Sequence, residues 1–203
     1  MRILATIAAL LFTVQWAAAQ NAKEIEAEVI AELNFARTEP QRYATERLEP
    51  LLKRFESDKL SYVNSEGDRM MTSEGVDAVV EAIAEMKKAT PCGKLTANPN
   101  LTKMAQAFAT DLGKNGITGH VDSRGNGMNA RFVEAGYSNN WTSECLDFGN
   151  RNAIDIVLSL IVDDGVPSRG HRKVIMTPKY TDVGVGFATH IEYDFCAVID
   201  FLR

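Results

Sequence analysis

The amino-acid sequence predicts an α+β domain with its helices first and its strands last. Three observations carry this. Apolar residues recur at helical spacing over much of the first 165 positions. The end of the chain switches to strict alternation, with Val183, Val185 and Phe187 on one run and Phe195, Ala197, Ile199 and Phe201 on the next. At 203 residues and 45% apolar content, the chain suffices for one domain with a substantial core.

The N-terminus is set apart. Arg2 precedes an apolar run from Ile3 to Trp16, followed by Ala17-Ala18-Ala19. A positive start, a short apolar stretch and a small-residue A-x-A site predict a secretory signal peptide over 1–19. The run is shorter than the ~20 residues a membrane-spanning helix needs. No later stretch is apolar enough to span a bilayer, so no integral membrane segment is expected after cleavage. The net charge of −5 argues against a broad basic surface for nucleic acid.

The elements follow in order. Ile25, Val29, Ile30, Leu33 and Ala36 share one face of a helix over 22–36. Thr38-Glu39-Pro40-Gln41 has the form of a capping box that restarts a helix. The charged stretch 44–72 is weakly periodic and reads as a peripheral insertion, or a long loop with a helix in it. Ser73 is a candidate cap for a helix bearing Val76, Val79, Val80, Ile83 and Met86. Asn98-Pro99 supplies an N-cap and a proline at the first helical position. The helix that follows carries Leu101, Met104, Ala105, Phe108 and Leu112, with Gly113 as its stop. Met128 to Ala135 is a short helix ended by Gly136. Ala153 to Val162 is a strongly apolar helix with Gly165 just beyond. A turn near His190 to Glu192 joins the two terminal strands.

Secretion permits disulfides, and Cys92, Cys145 and Cys196 allow one intramolecular bridge in three possible choices. Nothing local to these cysteines suggests a nucleophile. Asn100-Leu101-Thr102 and Asn140-Trp141-Thr142 are glycosylation sequons.

The residues able to do chemistry are few. His120 and His171 each follow a glycine in a polar stretch, whereas His190 lies near the hairpin turn and is expected to face solvent. Glu144 and the pair Asp163-Asp164 are the candidate acidic partners. Two imidazoles with one or two carboxylates can hold Zn²⁺ with an open position, or act as acid and base without metal. Other templates fail. Arg124 and Val133 occupy ligand positions of a would-be EF-hand, and Gly165 to Gly170 is not G-x-S-x-G. There is no P-loop or dinucleotide fingerprint.

Five segments, in order, resemble the CAP superfamily of cysteine-rich secretory, antigen and pathogenesis-related proteins, in its microbial SCP-like form. Asn34, Arg37 and Pro40 match its N-x-x-R-x-x-P opening helix. Leu95, Leu101 and Ala105 match the next helix entry. Gly119-His120, Arg131 and Gly136-Tyr137 resemble its H…R…GY segment. Ser143-Glu144-Cys145-Leu146 resembles its GENI loop, with Ser and Cys replacing Gly and Asn. Gly170-His171-Arg172 followed by Val183-Gly184-Val185-Gly186 resembles its GHR…VGVG end. The resemblance implies an α-β-α sandwich over 20–203 and a cleft shared by His120, Glu144, His171 and a fourth acid. Asp163 maps to that fourth position, with Asp164 as its competitor and Leu160 replacing a family Trp. It further implies a divalent cation, Zn²⁺ foremost. The favoured function is a binding or interaction module for a small apolar ligand, such as a lipid or sterol, or for a cell-surface partner. The alternative is a metal-dependent or acid/base hydrolase of peptidase type. Ser143 and Ser168 are formal nucleophile candidates without an activating motif.

Overall fold

A computed structural model describes residues 23–138 and 140–203. The signal peptide expected over 1–19 lies outside the described residues.

The first helix, α1 (23–38), buries Val29, Leu33 and Ala36, the face its spacing predicts. Thr38 does not cap the next helix. Its hydroxyl donates to the Asn34 carbonyl, and α2 (Pro40–Tyr43) starts after Glu39 without a side-chain cap. Proline at the first position suffices there, because its missing N–H would have had no helical partner. The chain then widens into a π turn over Ala44–Leu48 and tightens again in α3 (Glu49–Leu52). The charged stretch therefore begins as helix, and it ends as an antiparallel hairpin, β1 (Ser61–Val63) and β2 (Arg69–Met71).

Helix α4 (Val76–Lys88) buries Ala78, Val79, Ala82 and Met86 and leaves Val80 exposed. Its N-cap is Gly75, not Ser73, whose backbone N–H donates to Asp164. After β3 (Thr96–Ala97), Asn98 caps α5 (Pro99–Asn115) by accepting from the Asn100 and Leu101 N–H groups. The left-handed residue that ends α5 is Gly116, not Gly113. Gly113 lies inside the helix, where a side chain would collide with the Thr189 carbonyl. Next come α6 (Met128–Glu134), β4 (Thr142–Phe148), α7 (Ala153–Val162), α8 (Gly170–Ile175), β5 (Asp182–His190) and β6 (Asp194–Leu202).

The main sheet has the order β3-β5-β6-β4, antiparallel except for the short β3–β5 pair. Strand alternation divides its residues between two helical layers. Val183, Val185, Ala197, Ile199, Phe201 and Cys145 join α1, α4 and α7 in the larger core. Leu146, Cys196 and Val198 pack with Ala105, Phe108 and Leu112 of α5 on the other face. This is the α-β-α sandwich. Gly184 and Gly186 sit against α5, where a Cβ would overlap the helix backbone at Leu101–Thr102 and Ala105–Gln106. Their lack of a side chain lets helix and strand touch directly.

Two further expectations are corrected. All three cysteines are free thiols. Cys145 pairs with Ile199 and Cys196 with Phe148 across the β4–β6 ladder, an odd offset that puts the two sulfurs on opposite faces of the sheet. Such side chains point apart and cannot be bridged. His190 is 3% exposed rather than solvent-facing. Its ring packs between Phe148 and Tyr193, and its Nε2 donates to the Ile117 carbonyl.

Candidate functional site

Four backbone carbonyls converge on one side chain of α1. Arg37, fully buried, donates through Nε to Gly93, through Nη1 to Ile175 and Thr177, and through Nη2 to Tyr180. Asn34, one turn earlier, donates to the Leu95 carbonyl and accepts from its N–H. The opening motif thus ties α1 to the loops before β3 and after α8. Its role is to hold the scaffold of the site.

His120 lies in the loop between α5 and α6, just after Gly119 at φ 101°. Asp122 organises that loop by accepting from the Arg124 and Asn126 N–H groups, and Asp111 of α5 accepts from Ser123. Arg131 of α6 then closes the structure. It donates to the His120 and Asn126 carbonyls and, at 2.5 Å, to Glu144 Oε2. Its guanidinium stacks 3.5 Å above the Phe108 ring. The other oxygen of Glu144 meets His120 Nδ1 at 2.8 Å. Because a carboxylate only accepts, Nδ1 carries the proton and Nε2 is left outward. The imidazole is half exposed and the carboxylate fully covered.

His171 is built the same way on the other side. Asp163 ends α7 in the left-handed conformation at φ 58°. From there its Oδ2 accepts the His171 and Arg172 N–H groups at the start of α8, and its Oδ1 meets His171 Nδ1 at 2.7 Å. Asp164 turns away and accepts the Ser73 and Glu74 N–H groups. Of the two adjacent acids, Asp163 is the one at His171.

The four residues therefore form two dyads. Glu144 shares its face of edge strand β4 with Leu146, toward α5 and α6, whereas Asp163 and His171 belong to α7 and α8 on the opposite face. In each dyad a carboxylate accepts from Nδ1 and orients the imidazole, as carboxylates do for the histidine ligands of many metal sites. Among the described residues, however, no three His, Cys, Asp or Glu side chains form a group that could hold a metal ion. The arrangement does not fit a resident cation with the usual three protein ligands. Among the described residues no serine or cysteine bonds either imidazole; the Ser143 hydroxyl is engaged with Tyr180.

Two acids that the sequence reading did not single out stand beside these dyads. Asp200 faces Glu144 from β6, and burial beside that carboxylate pushes its pKa well up against the opposing pull of Arg131. Asp147 lies further along β4, where burial raises its pKa to about 7 despite hydrogen bonds from Ser159 and Asn150. Both sit at alternating positions of strands, and the signal that could have found them is a carboxylate at an inward position of an apolar strand.

Asp147, Asp163 and His171 line a cavity of about 270 Å³. Its walls are otherwise mainly apolar: Leu158 and Leu160 of α7, Val79 of α4, and Phe55, Tyr62 and Met70 from the segment that includes the β1–β2 hairpin. A larger open groove, about 790 Å³, runs between α5 and α6 past Phe108, Arg131 and Glu134. His120 lines neither.

The sequence profile of the CAP family, described as the cysteine-rich secretory protein family, matches residues 80–201. No curated protein sequence matches the chain. Among solved structures, an extracellular protein containing an SCP domain from Bacillus anthracis is 18% identical, with 55% of this chain and 34% of that one covered and a TM-score of 0.47. This chain thus spans about a third of that protein. An outer surface protein from Borrelia burgdorferi is 21% identical over 55% of this chain and 79% of its own, also at 0.47. A cysteine-rich secretory protein from Staphylococcus aureus is 15% identical over 68% and 44%, at 0.37.

Proposed function

The chain belongs to the CAP family of cysteine-rich secretory proteins, and on that footing we propose that it is a secreted binding module that takes a small apolar ligand. The observation that carries this reading is the cavity beneath the β1–β2 hairpin. Its volume of about 270 Å³ approaches the lower end of ligand sites, and an apolar lining with a few convergent polar groups is the composition such sites have. Secretion rests on the N-terminal leader pattern. Among the described residues no helix is long and apolar enough to cross a membrane.

The hydrolytic alternative has less support. It asks for a nucleophile at hydrogen-bond reach of a base, and among the described residues no serine or cysteine bonds His120 or His171. A divalent cation is carried by the family resemblance alone.

Calorimetric titration of the mature chain with methyl octyl ether, an apolar body without a hydrogen-bond donor, tests the binding reading. Saturable binding is expected, weakened at least tenfold by Val166→Trp, which fills the lining at a half-buried position. Absence of saturable binding for every medium-chain apolar compound tried overturns it. Metal analysis of wild type beside His120→Ala/His171→Ala measures the cation separately.

A further inference from the structure

Strand β4 is an outer strand of the main sheet, and one side of its backbone has no partner. It pairs with β6 without a bulge and contains no proline. The parity of the ladder says which groups are free. The Arg203 N–H donates to the Trp141 carbonyl and the Gly149 N–H to the Phe195 carbonyl, so the odd-numbered residues of β4 turn their backbone groups to β6. Glu144, Leu146 and Phe148 turn theirs outward. Among the described residues, no backbone group bonds those outward N–H and carbonyl groups.

Two further observations put this edge within reach of a ligand. Glu144 is 6% exposed although its side chain is fully covered, so the accessible surface there is main chain. The cavity beneath the β1–β2 hairpin is lined by Leu146, Asp147 and Phe148 together. Three consecutive residues of a strand cannot all turn their side chains to one face, so the cavity meets β4 along its edge. That edge is a recess between α6 and α8, which touch β4 from opposite faces. A row of alternating donors and acceptors is matched by another extended backbone. A second copy of the chain would have to bring a whole folded edge into the recess, whereas a single peptide needs only the ~4.8 Å spacing of neighbouring strands.

Resting on the binding-module reading above, we propose that the apolar group taken by the cavity is a side chain of an extended peptide whose backbone pairs with β4 at Glu144, Leu146 and Phe148. Register then assigns the peptide's side chains, because residues opposite each other share a face of the sheet. The peptide residue opposite Asp147 points toward α7, into the apolar lining of Leu158, Leu160 and Met70. Its neighbours point to the other face, where the His120 imidazole stands at Glu144 and presents Nε2 as an acceptor. A hydroxyl donates there without bringing a charge. The ligand class is a strand-forming peptide that alternates apolar and hydroxyl residues.

The test titrates the mature chain by calorimetry at pH 7 with an end-blocked five-residue peptide alternating serine and leucine, and with the same peptide N-methylated at its serines. In the proposed register the serine N–H groups face β4, and methylation removes them while keeping every side chain. Saturable binding of the parent is expected, with the methylated peptide at least tenfold weaker, the loss that two or three missing hydrogen bonds produce. Binding should slow amide exchange at Glu144, Leu146 and Phe148 more than at Cys145, which already bonds β6. Equal binding of the two peptides, or unchanged exchange at those three amides, overturns the edge inference and leaves the binding module standing. So does failure of both peptides where methyl octyl ether still binds saturably. No binding by either peptide or by the ether overturns both readings.

Discussion

Glu144 and Asp200 stand directly opposite each other on β4 and β6, both buried. Two carboxylates so placed cannot both ionise, and Asp200 is the one driven to hold the proton. Glu144 stays the acceptor for Arg131 and His120. Asp200→Asn preserves a neutral donor of the same shape and should change stability by no more than ~1 kcal/mol. Arg131→Ala strips a buried carboxylate of its counter-charge and should cost about 3–5 kcal/mol. Urea denaturation at pH 7 with unchanged m-values checks both.

Asp147 makes stability depend on pH. Its folded pKa is about 7 against 3.8 for the free side chain. The folded state therefore binds the proton more tightly, and stability falls as pH rises from 4 to 7 before levelling off above. At 1.36 kcal/mol per unit the loss is on the order of 4 kcal/mol. Asp147→Asn should flatten that decline, since the introduced amide carries no charge at any pH. Thermal melts of both proteins at pH 5 and pH 8 measure it, and an unchanged slope would count against the buried ionisation.

Replacing Arg37 by lysine should destabilise by ~2–4 kcal/mol, although the charge is kept. One ammonium cannot reach carbonyls from Gly93, Ile175, Thr177 and Tyr180 together, and the buried carbonyls of Ile175 and Tyr180 cost ~1–3 kcal/mol each when left alone. Chemical denaturation of Arg37→Lys beside wild type reads the difference.

A methyl group at position 186 is expected to destabilise the fold. The Cβ of Gly186→Ala would overlap the Ala105 backbone of α5 rather than a side chain that can swing away. Overpacking of this kind costs ~1–3 kcal/mol or more, so the expected result is a large loss of Tm or insoluble protein. A normal melt would show that α5 can lift off β5.

Thiol chemistry should distinguish one cysteine from two. Cys92 is partly exposed, whereas Cys145 and Cys196 are buried, and burial raises the pKa of each thiol, Cys196 to about 11. A thiol reagent should label about one cysteine in the native protein and all three after unfolding, and a reductant should leave the Tm unchanged.

Much of the fold was legible because its signals are local. The Asn98-Pro99 cap, the apolar stripe of 153–162 and the alternation of 183–201 each act within a few residues, and each element formed where its pattern lay. The errors fell where a distant partner decided. Gly113 is not a stop, because Thr189 presses on it from β5. His190 is inside because Phe148 and Tyr193 enclose it. Strand β4 went unread, since polar Ser143, Glu144 and Asp147 interrupt its apolar residues.

The amino-acid order alone determined which residue types were available: two glycine-preceded histidines, the acids Glu144 and Asp163, and the five segments that assign the family. Tertiary structure decided how they are distributed. The parity of edge strand β4 sends Glu144 to one side of the sheet, while Asp163 and His171 stand on the other. Pairing across β4 and β6 also brought in Asp200, and the hairpin over α7 closed a cavity around Asp147 and Asn150. Strand register and helix docking set these relations through contacts between residues far apart in the chain, which no local pattern of side chains encodes.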